Sequence, residues 1–295
     1  MRKNAHKVDG WVVIDKPKDM TSNAALTQVR HLFNAQKAGH VGTLDPFATG
    51  VLPIALGEAT KLISLLENGV KVYEFDCKFG TRTTTDDNTG EVVETSEKIP
   101  TKEEIENVIP SFIGKIKQIP SKFSAIKING QRAYDLARKG LEFEMHSREI
   151  EVFSLKLISF DGVVAKMEVI CSKGTYVRTL GVDLAKKMGA CAHLVALRRK
   201  KSGFFELAHA ITLENLKEMV HINEALHPVL TPLCDITEIA VSDEQAAKLQ
   251  KGQSLSPKNF ENYKNGEMVA TCNGMPVAVV RKSEQKIAPW RVFNF

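Results

Sequence analysis

Asp45 stands in the run Gly39-His40-Val41-Gly42-Thr43-Leu44-Asp45-Pro46-Phe47-Ala48-Thr49-Gly50-Val51-Leu52-Pro53, a single carboxylate among glycines, small residues and two prolines. Glycine permits close backbone approach and unusual φ angles, and Pro46 stiffens the turn that follows the carboxylate. A carboxylate held in this way is presented rather than mobile, and a presented carboxylate can act as nucleophile or general base. The run lacks the G-K-[S/T] ending of a phosphate loop, and no G-x-G-x-x-G opens a dinucleotide fold anywhere in the chain. On residues alone a second reading stays open, that of an Asp making turn hydrogen bonds, which is the commoner role for an Asp in a loop.

The five cysteines, Cys77, Cys171, Cys191, Cys234 and Cys272, are far apart, odd in number and form no C-x-x-C pair. They read as buried or idle thiols, so neither a metal nor a redox cofactor is expected. Charge is modest overall, at +5, but unevenly spread. Cys171 to Phe204 holds eight Lys or Arg against the one acid Asp183, whereas Asp86 to Asn107 holds eight acids against Lys98 and Lys102. One basic and one acidic face suit a protein that approaches a polyanion from a fixed side, although solvated surface charge explains the same pattern equally well.

The elements that would carry these residues can be read from periodicity. Trp11 to Asp15 is a short buried strand stopped by Lys16-Pro17, and Thr21 or Ser22 caps a helix whose Leu26, Val29, Leu32 and Phe33 recur at helical spacing. Gly39 to Gly57 reads as a glycine-rich loop, with helix resuming from Glu58 to Leu66. Residues 72–79 alternate strictly, with Tyr73, Phe75, Cys77 and Phe79 on one face. Thr101-x-x-Glu104 is a capping box, and Asp161-Gly162 joins two strands at 150–160 and 163–171 as a hairpin. Helix is expected at Thr179–Lys187 and Ala192–Leu197, the latter running into Arg198-Arg199-Lys200-Lys201. Past Pro228 come Pro232, a short helix near Asp243–Leu249, an Asn273-Gly274 turn and the apolar run Val277–Val280. This order predicts an α+β fold, a largely antiparallel mixed sheet flanked by helices, with a small, mostly β C-terminal module. The expected division is 1–227 and 228–295. At this length folding buries about three quarters of the unfolded surface, so no staples are needed.

No apolar run reaches the ~18 residues of a membrane span. The N-terminal Met1 to Lys7 is basic without an apolar stretch long enough for a secretory signal, so a cytoplasmic protein is expected.

The Asp45 run closely resembles the catalytic motif of the TruB family, the bacterial tRNA pseudouridine-55 synthases. The resemblance continues through Asp15-Lys16-Pro17 with Thr21-Ser22-Asn23, Gly57-Glu58-Ala59-Thr60-Lys61 and Tyr73 on its strand. Ile119-Pro120-Ser121 leading to Phe123-Ser124-Ala125 looks like an inner strand of the family. Cys171 to Thr179 and Gly189 to Arg199 complete the set, so the likeness spans roughly residues 10–215. The tail from Val269 to Phe295 loosely resembles the short PUA-like RNA-binding module that ends these enzymes. One departure stands out: the family's usual T-D-T-x-D-x-x-G run is here Thr83-Thr84-Thr85-Asp86-Asp87-Asn88-Thr89-Gly90, with Thr84 in place of the first Asp.

The resemblance implies isomerisation of one tRNA uridine to pseudouridine, with no cofactor and no metal. It implies Asp45 as the attacking carboxylate and Arg178 as the cation against it. Tyr73 becomes the stacking ring, Tyr176 the second tyrosine by the base, and Leu197 the apolar wall. His40 takes the place of a base in the T-loop stack. Arg198, Arg199, Lys200 and Lys201 are expected to grip phosphates of the T-arm, in a monomer needing no protein partner. Three alternatives remain distinguishable: a non-catalytic RNA-binding or tRNA-folding chaperone on the same fold, a member of a guide-RNA particle, and an RNA methyltransferase. The last lacks a glycine-rich cofactor turn after a strand.

Overall fold

Trp11, Val12, Val13 and Ile14 are each at most 1% exposed. Such a run has no polar face because its strand, β1 (Gly10–Lys16), is covered on both sides. Val12 and Ile14 enter one core with Leu52, Ile54 and Leu56, while Trp11 and Val13 enter a second with Val51 and Ala55. The computed structural model describes residues 5–124, 126–234 and 236–295. Met1 to Asn4 of the basic N-terminus, and Ala125, lie outside them.

Helix α1 (Ser22–Leu32) follows β1, and its N-cap is Thr21, whose hydroxyl accepts from the Ala24 amide. Then come β2 (Ala38–His40), β3 (Thr49–Leu56), a 3-10 turn at Gly57–Leu62, and α2 (Ile63–Leu66). Strand β4 (Lys71–Phe79) leads into the hairpin of β5 (Thr81–Thr83) and β6 (Val92–Thr95). Next are α3 (Lys102–Val108), with its capping box formed, and β7 (Gly114–Gln118). An arm follows, with β8 (Lys127–Ile128), β9 (Gln131–Arg132) and α4 (Ala133–Arg138). The hairpin of β10 (Arg148–Phe160) and β11 (Val164–Cys171) returns to the sheet. Helix α5 (Val177–Lys187), β12 (Ala192–Ser202), β13 (Phe205–Glu206) and α6 (Leu213–Glu218) close the body.

The main sheet runs β1-β3-β12-β4-β11-β10-β7, with β2 on β3 and β13 on β12. Its pairings are antiparallel except the short parallel contact of β12 with β3. Helices α1, α5 and α6 supply Val29, Leu180, Leu184 and Leu216 to the core on one face. On the other face sits a second sheet, β14 (Glu238–Ala240), β15 (Gly266–Cys272), β16 (Met275–Lys282) and β17 (Ile287–Val292), with α7 (Asp243–Gln250). Among the described residues no helix is long and apolar enough to cross a membrane.

Three expectations need correcting. The glycine-rich stretch is a loop only over residues 41–48, because Gly39 and His40 belong to β2 and Thr49–Leu56 is the buried strand β3. Burial on both faces erases the alternation that would have marked it. Ala192–Leu197 is not helical but the first half of β12. Its Ala, Leu and Arg content favours helix, and ladder pairing with β4 overrides that weak preference. Residues 119–124 form no strand; they are irregular backbone at the start of the arm.

Candidate active site

The backbone on either side of Asp45 is clamped. Ser22, the first residue of α1, accepts from the Leu44 amide at 2.8 Å and donates to the Leu44 carbonyl at 2.9 Å. Lys16, wholly buried, donates to the Pro46 carbonyl at 3.1 Å and to those of Pro17 and Met20 at 2.8 and 2.7 Å. The upstream Asp-Lys-Pro and Thr-Ser-Asn runs therefore act on the Asp45 loop from behind. Burial lowers the Lys16 ammonium to about 8, although Asp45 nearby opposes that shift. Gly50 fixes the exit of the loop: it has φ 103°, and a Cβ there would lie 2.2 Å from the Arg199 carbonyl.

The Asp45 carboxylate, about one third exposed at 34%, receives the Arg178 Nε at 2.8 Å. Arg178 stands on the first turn of α5 and is 3% exposed. Its remaining donors go to the Thr85 carbonyl at 2.6 Å and the Phe123 carbonyl at 2.9 Å, with Asp87 at 3.5 Å. Every edge of the guanidinium is engaged, so its orientation toward Asp45 is fixed. Asp87 is itself held by the Thr85 and Thr89 hydroxyls, at 2.7 and 2.5 Å, and by the Thr89 amide at 2.9 Å. Thr84 pairs with Glu91 across this loop, amide to carbonyl at 2.8 Å and hydroxyl from amide at 3.2 Å. The departure from the family pattern thus falls on a residue that closes the loop, outside the Asp45–Arg178 pair.

Two cavities share Asp45 and Arg178. One, of about 560 Å³, is lined by Tyr73, Tyr176, Leu197, Lys71 and Arg199. The other, of about 500 Å³, is lined by His40, Asn23, Phe123, Ser124, Arg132 and Tyr134. Both fall within the range of ligand-binding clefts. Burial pushes the Tyr73 and Tyr176 phenols up, with Arg199 countering the shift at Tyr73 and the Ser124 hydroxyl at Tyr176. Both stay protonated at neutral pH. His40, at the end of β2, is pushed down by burial and by the Arg199 and Arg132 cations, so it is neutral, and its Nδ1 has no hydrogen-bond partner.

The structure therefore brings Asp45, Tyr73, Tyr176, Arg178 and Leu197 to one cavity and puts His40 in the adjoining one. It does not place the basic run as expected. Arg199 is 1% exposed and donates to the Val51 carbonyl at 2.7 Å and the Gly42 carbonyl at 3.0 Å, so it braces the Asp45 loop from inside instead of standing on the surface. Arg198 pairs with Asp15 at 2.7 Å, Lys200 with Glu74 at 2.7 Å, and Lys201 with Glu206 at 2.5 Å. A run of four charges in a strand sends alternate side chains to opposite faces, which spacing in a helix or loop would not do. Lys16, Ser22, Lys71 and Asp87 were missed as site residues. Lys16, Ser22 and Asp87 lay in noted motifs, but nothing local tells a buried lysine from a solvated one. Among the described residues no group of three or more His, Cys, Asp or Glu side chains is arranged to hold a metal.

Comparison with known proteins shows the family. Residues 30–177 match the N-terminal domain model of the TruB family pseudouridylate synthases, and residues 178–236 match the C-terminal domain model of tRNA pseudouridylate synthase B. The chain is 47% identical to tRNA pseudouridine synthase B of Caulobacter vibrioides, over 99% of this chain and 98% of that one. It is 43% identical to the protein of the same name from Dinoroseobacter shibae, again over 99% and 98%. Among solved structures, a chain of a Cbf5-Nop10-Gar1 complex superposes with a TM-score of 0.74 at 23% identity, over 97% of this chain and 85% of that one, which speaks to the fold alone. With its family motifs gathered around one clamped carboxylate, the chain belongs to the TruB family of pseudouridine synthases.

Proposed function

We propose that this chain isomerises the uridine at position 55 in the T-loop of tRNA, with Asp45 as the attacking group. The observation that carries the reading is the Asp45–Arg178 pair at 2.8 Å in a wall shared by two cavities, with two protonated tyrosines facing one of them. Pseudouridine formation breaks N1–C1′, turns the uracil and joins C5 to C1′, while C5 loses a proton and N1 gains one. Nothing is oxidised and no group is imported, so the reaction calls for no cofactor. It calls for one ionised carboxylate beside the ribose or base, whether as nucleophile at C1′ or C6 or as a base. Arg178, at 2.8 Å, orients that carboxylate and supplies the opposite charge beside it.

The uridine must leave its stack to reach Asp45, at a cost of a few kcal/mol, and stacking on Tyr73 returns about 1–3 kcal/mol. Leu197 supplies an apolar wall of the same cavity and Tyr176 lines it too. His40, neutral and half-buried in the adjoining cavity, is placed to meet the bases that the flipped uridine leaves behind. Lys127, Arg132, Arg138, Arg148 and Lys173 line the two cavities, and they replace Arg198 to Lys201 as the groups that hold the T-arm backbone. The enzyme acts as a cytoplasmic monomer without a protein partner, its residues 1–227 carrying catalysis and 228–295 a PUA-like module. A tRNA-folding chaperone without chemistry has no use for a carboxylate so firmly held.

The test is release of tritium from tRNA carrying C5-tritiated uridine, with no added factor, followed by mapping of the changed uridine. Asp45→Asn should bind tRNA within about threefold of wild type, because phosphates and stacking supply affinity. Its turnover should vanish. A tenth of wild-type turnover in that variant, with deamidation excluded, would remove Asp45 from the mechanism. Modification elsewhere with position 55 untouched would overturn the substrate assignment.

A further inference from the structure

The chain leaves edge strand β7 at Gln118 and rejoins the sheet at Arg148, and these two residues face each other directly in the ladder. Between them residues 119–124 and 126–147 belong to the arm that brings Phe123, Ser124, Arg132 and Tyr134 to the second cavity. Gln118 is 2% exposed. Its Nε2 donates to the Tyr176 carbonyl at 3.0 Å, and its Oε1 accepts from the Tyr176 amide at 2.8 Å. One side-chain amide thus satisfies both polar groups of a single backbone residue, as a neighbouring strand would.

That residue matters because Tyr176 is the N-cap of α5 and no side chain of its own caps the helix. The Tyr176 carbonyl also accepts the Leu180 amide at 3.0 Å, so Gln118 grips the start of the helix and the ring together. Two residues on, Arg178 bonds Asp45 and, through Nη2, the Phe123 carbonyl at the start of the arm. Two ties from the foot of the arm therefore converge on the turn that aims Arg178 at Asp45.

We propose that Gln118 is a positioning residue for the isomerisation, holding the Tyr176 ring and the first turn of α5 in register with Asp45. This rests on the reading of Tyr176 and Arg178 as site residues. Gln118 touches no substrate. Its removal leaves the half-buried Tyr176 amide unpaired and the Tyr176 carbonyl with the Leu180 amide alone, which frees the turn to shift, and displacement by about 1 Å can slow a reaction by about 100-fold.

Two variants test it, Gln118→Met and Gln118→Glu, in single-turnover tritium release at saturating enzyme, alongside tRNA binding and thermal melting. Gln118→Met should react at least about tenfold more slowly while binding tRNA within about threefold of wild type. Gln118→Glu carries a specific signature. An ionised carboxylate still accepts from the Tyr176 amide but cannot donate to its carbonyl, whereas a protonated carboxyl does both. Burial raises the carboxyl pKa, so the rate of this variant relative to wild type should climb as pH falls from about 8.5 to about 5.5. Of the charged groups acting on Tyr176, Arg148 and Arg178 favour the ionised form of the introduced carboxyl and Asp45 opposes it, alongside the burial that raises its pKa.

A ratio below one that stays flat across pH would overturn the proposal, as would a Gln118→Met rate within twofold of wild type or a rate loss matched by lost binding. Should Gln118→Met fail to fold, the pH dependence of the Gln118→Glu ratio decides alone. Asp45→Asn in the same assay separates the two levels. If it is inactive, a negative result falls on Gln118 only; if it turns over, the site reading fails instead.

Discussion

Asp45 owes its position to Lys16 and Ser22, which hold the residues on either side of it. Lys16 is an unusual clamp, since a buried ammonium is penalised and its value falls to about 8 from 10.5. Lys71, at the edge of the Tyr73 cavity, is lowered to about 8 by burial as well. Between these values the unfolded chain holds protons that the folded chain has released, so these groups make stability rise with pH there. Their burial penalty is complete below pH 8 and fades above it. Wild type should therefore gain stability relative to Lys16→Met on going from about pH 7 to about pH 9.5, measured by urea unfolding at both values. An identical difference at the two pH values would mean that Lys16 does not titrate in this window. The tyrosines give a second prediction at this scale. Tyr73→Ala and Tyr176→Phe should each slow single-turnover catalysis more than they weaken tRNA binding, because their rings face the cavity and not the phosphates. A rate equal to wild type in either variant would make that tyrosine structural. Asp45 was legible as a presented carboxylate because glycine and proline announce a rigid loop. The clamps behind it were not, since they act from buried side chains that look ordinary in sequence.

Strand β12 changes what the basic run can do. Lys200 faces Glu74 and Glu168, and Lys201 faces Glu206, so both charges are already balanced within the protein. Reversing Lys200 and Lys201 to Glu should consequently leave the salt dependence of tRNA binding nearly unchanged. Neutralising Arg148 and Lys173, on the rim of the Tyr73 cavity, should instead flatten it. Each lost phosphate contact removes about 0.7–0.9 from the slope of log affinity against log salt. Binding titrations at several salt concentrations measure both slopes. A flattened slope in the Lys200/Lys201 variant alone would restore the run to the RNA interface. Elements specified by local signals were readable. The Thr101 capping box forms with both bonds, at 2.8 and 3.2 Å, and Asp161 accepts from the Val163 and Val164 amides to close its hairpin. Residues 72–79 alternate as strand β4 because one of their faces is covered and the other partly wet. β3 and β12 escaped notice for a common reason. Their conformation is dictated by partners distant in sequence, and β12 also carries two register shifts against β4 that break any simple period.

At the scale of the whole molecule, the C-terminal sheet is bound into the body rather than tethered to it. Val269, Val279 and Phe293 share a core with Trp11, Val13, Leu62 and Phe205. Around that core Lys61 donates to the Val292 carbonyl at 2.8 Å, Glu58 accepts the Asn294 amide at 2.7 Å, and Arg291 donates to the Lys61 carbonyl at 3.2 Å. The Lys61 and Glu58 concerned belong to the 3-10 turn directly after β3, the strand that leaves the Asp45 loop. A composition change past Pro228 can mark where a module begins, but it carries no information about which body residues the module covers. Removing 238–295 would return several large apolar side chains to water, at about 1.5–3 kcal/mol for each one fully re-exposed. That loss is comparable to the whole stability of an ordinary domain, about 5–15 kcal/mol. The truncated chain should therefore aggregate or melt far below the full one. The full chain should unfold in one step at equilibrium, and its two tryptophans make this easy to check. Trp11 lies in the shared core and Trp290 packs at its edge, so tryptophan fluorescence reports the joint while far-ultraviolet circular dichroism reports both sheets. Coincident urea transitions by the two probes are expected. A fluorescence transition that precedes the loss of ellipticity would mean that the joint opens first and that the module and body are separate folding units.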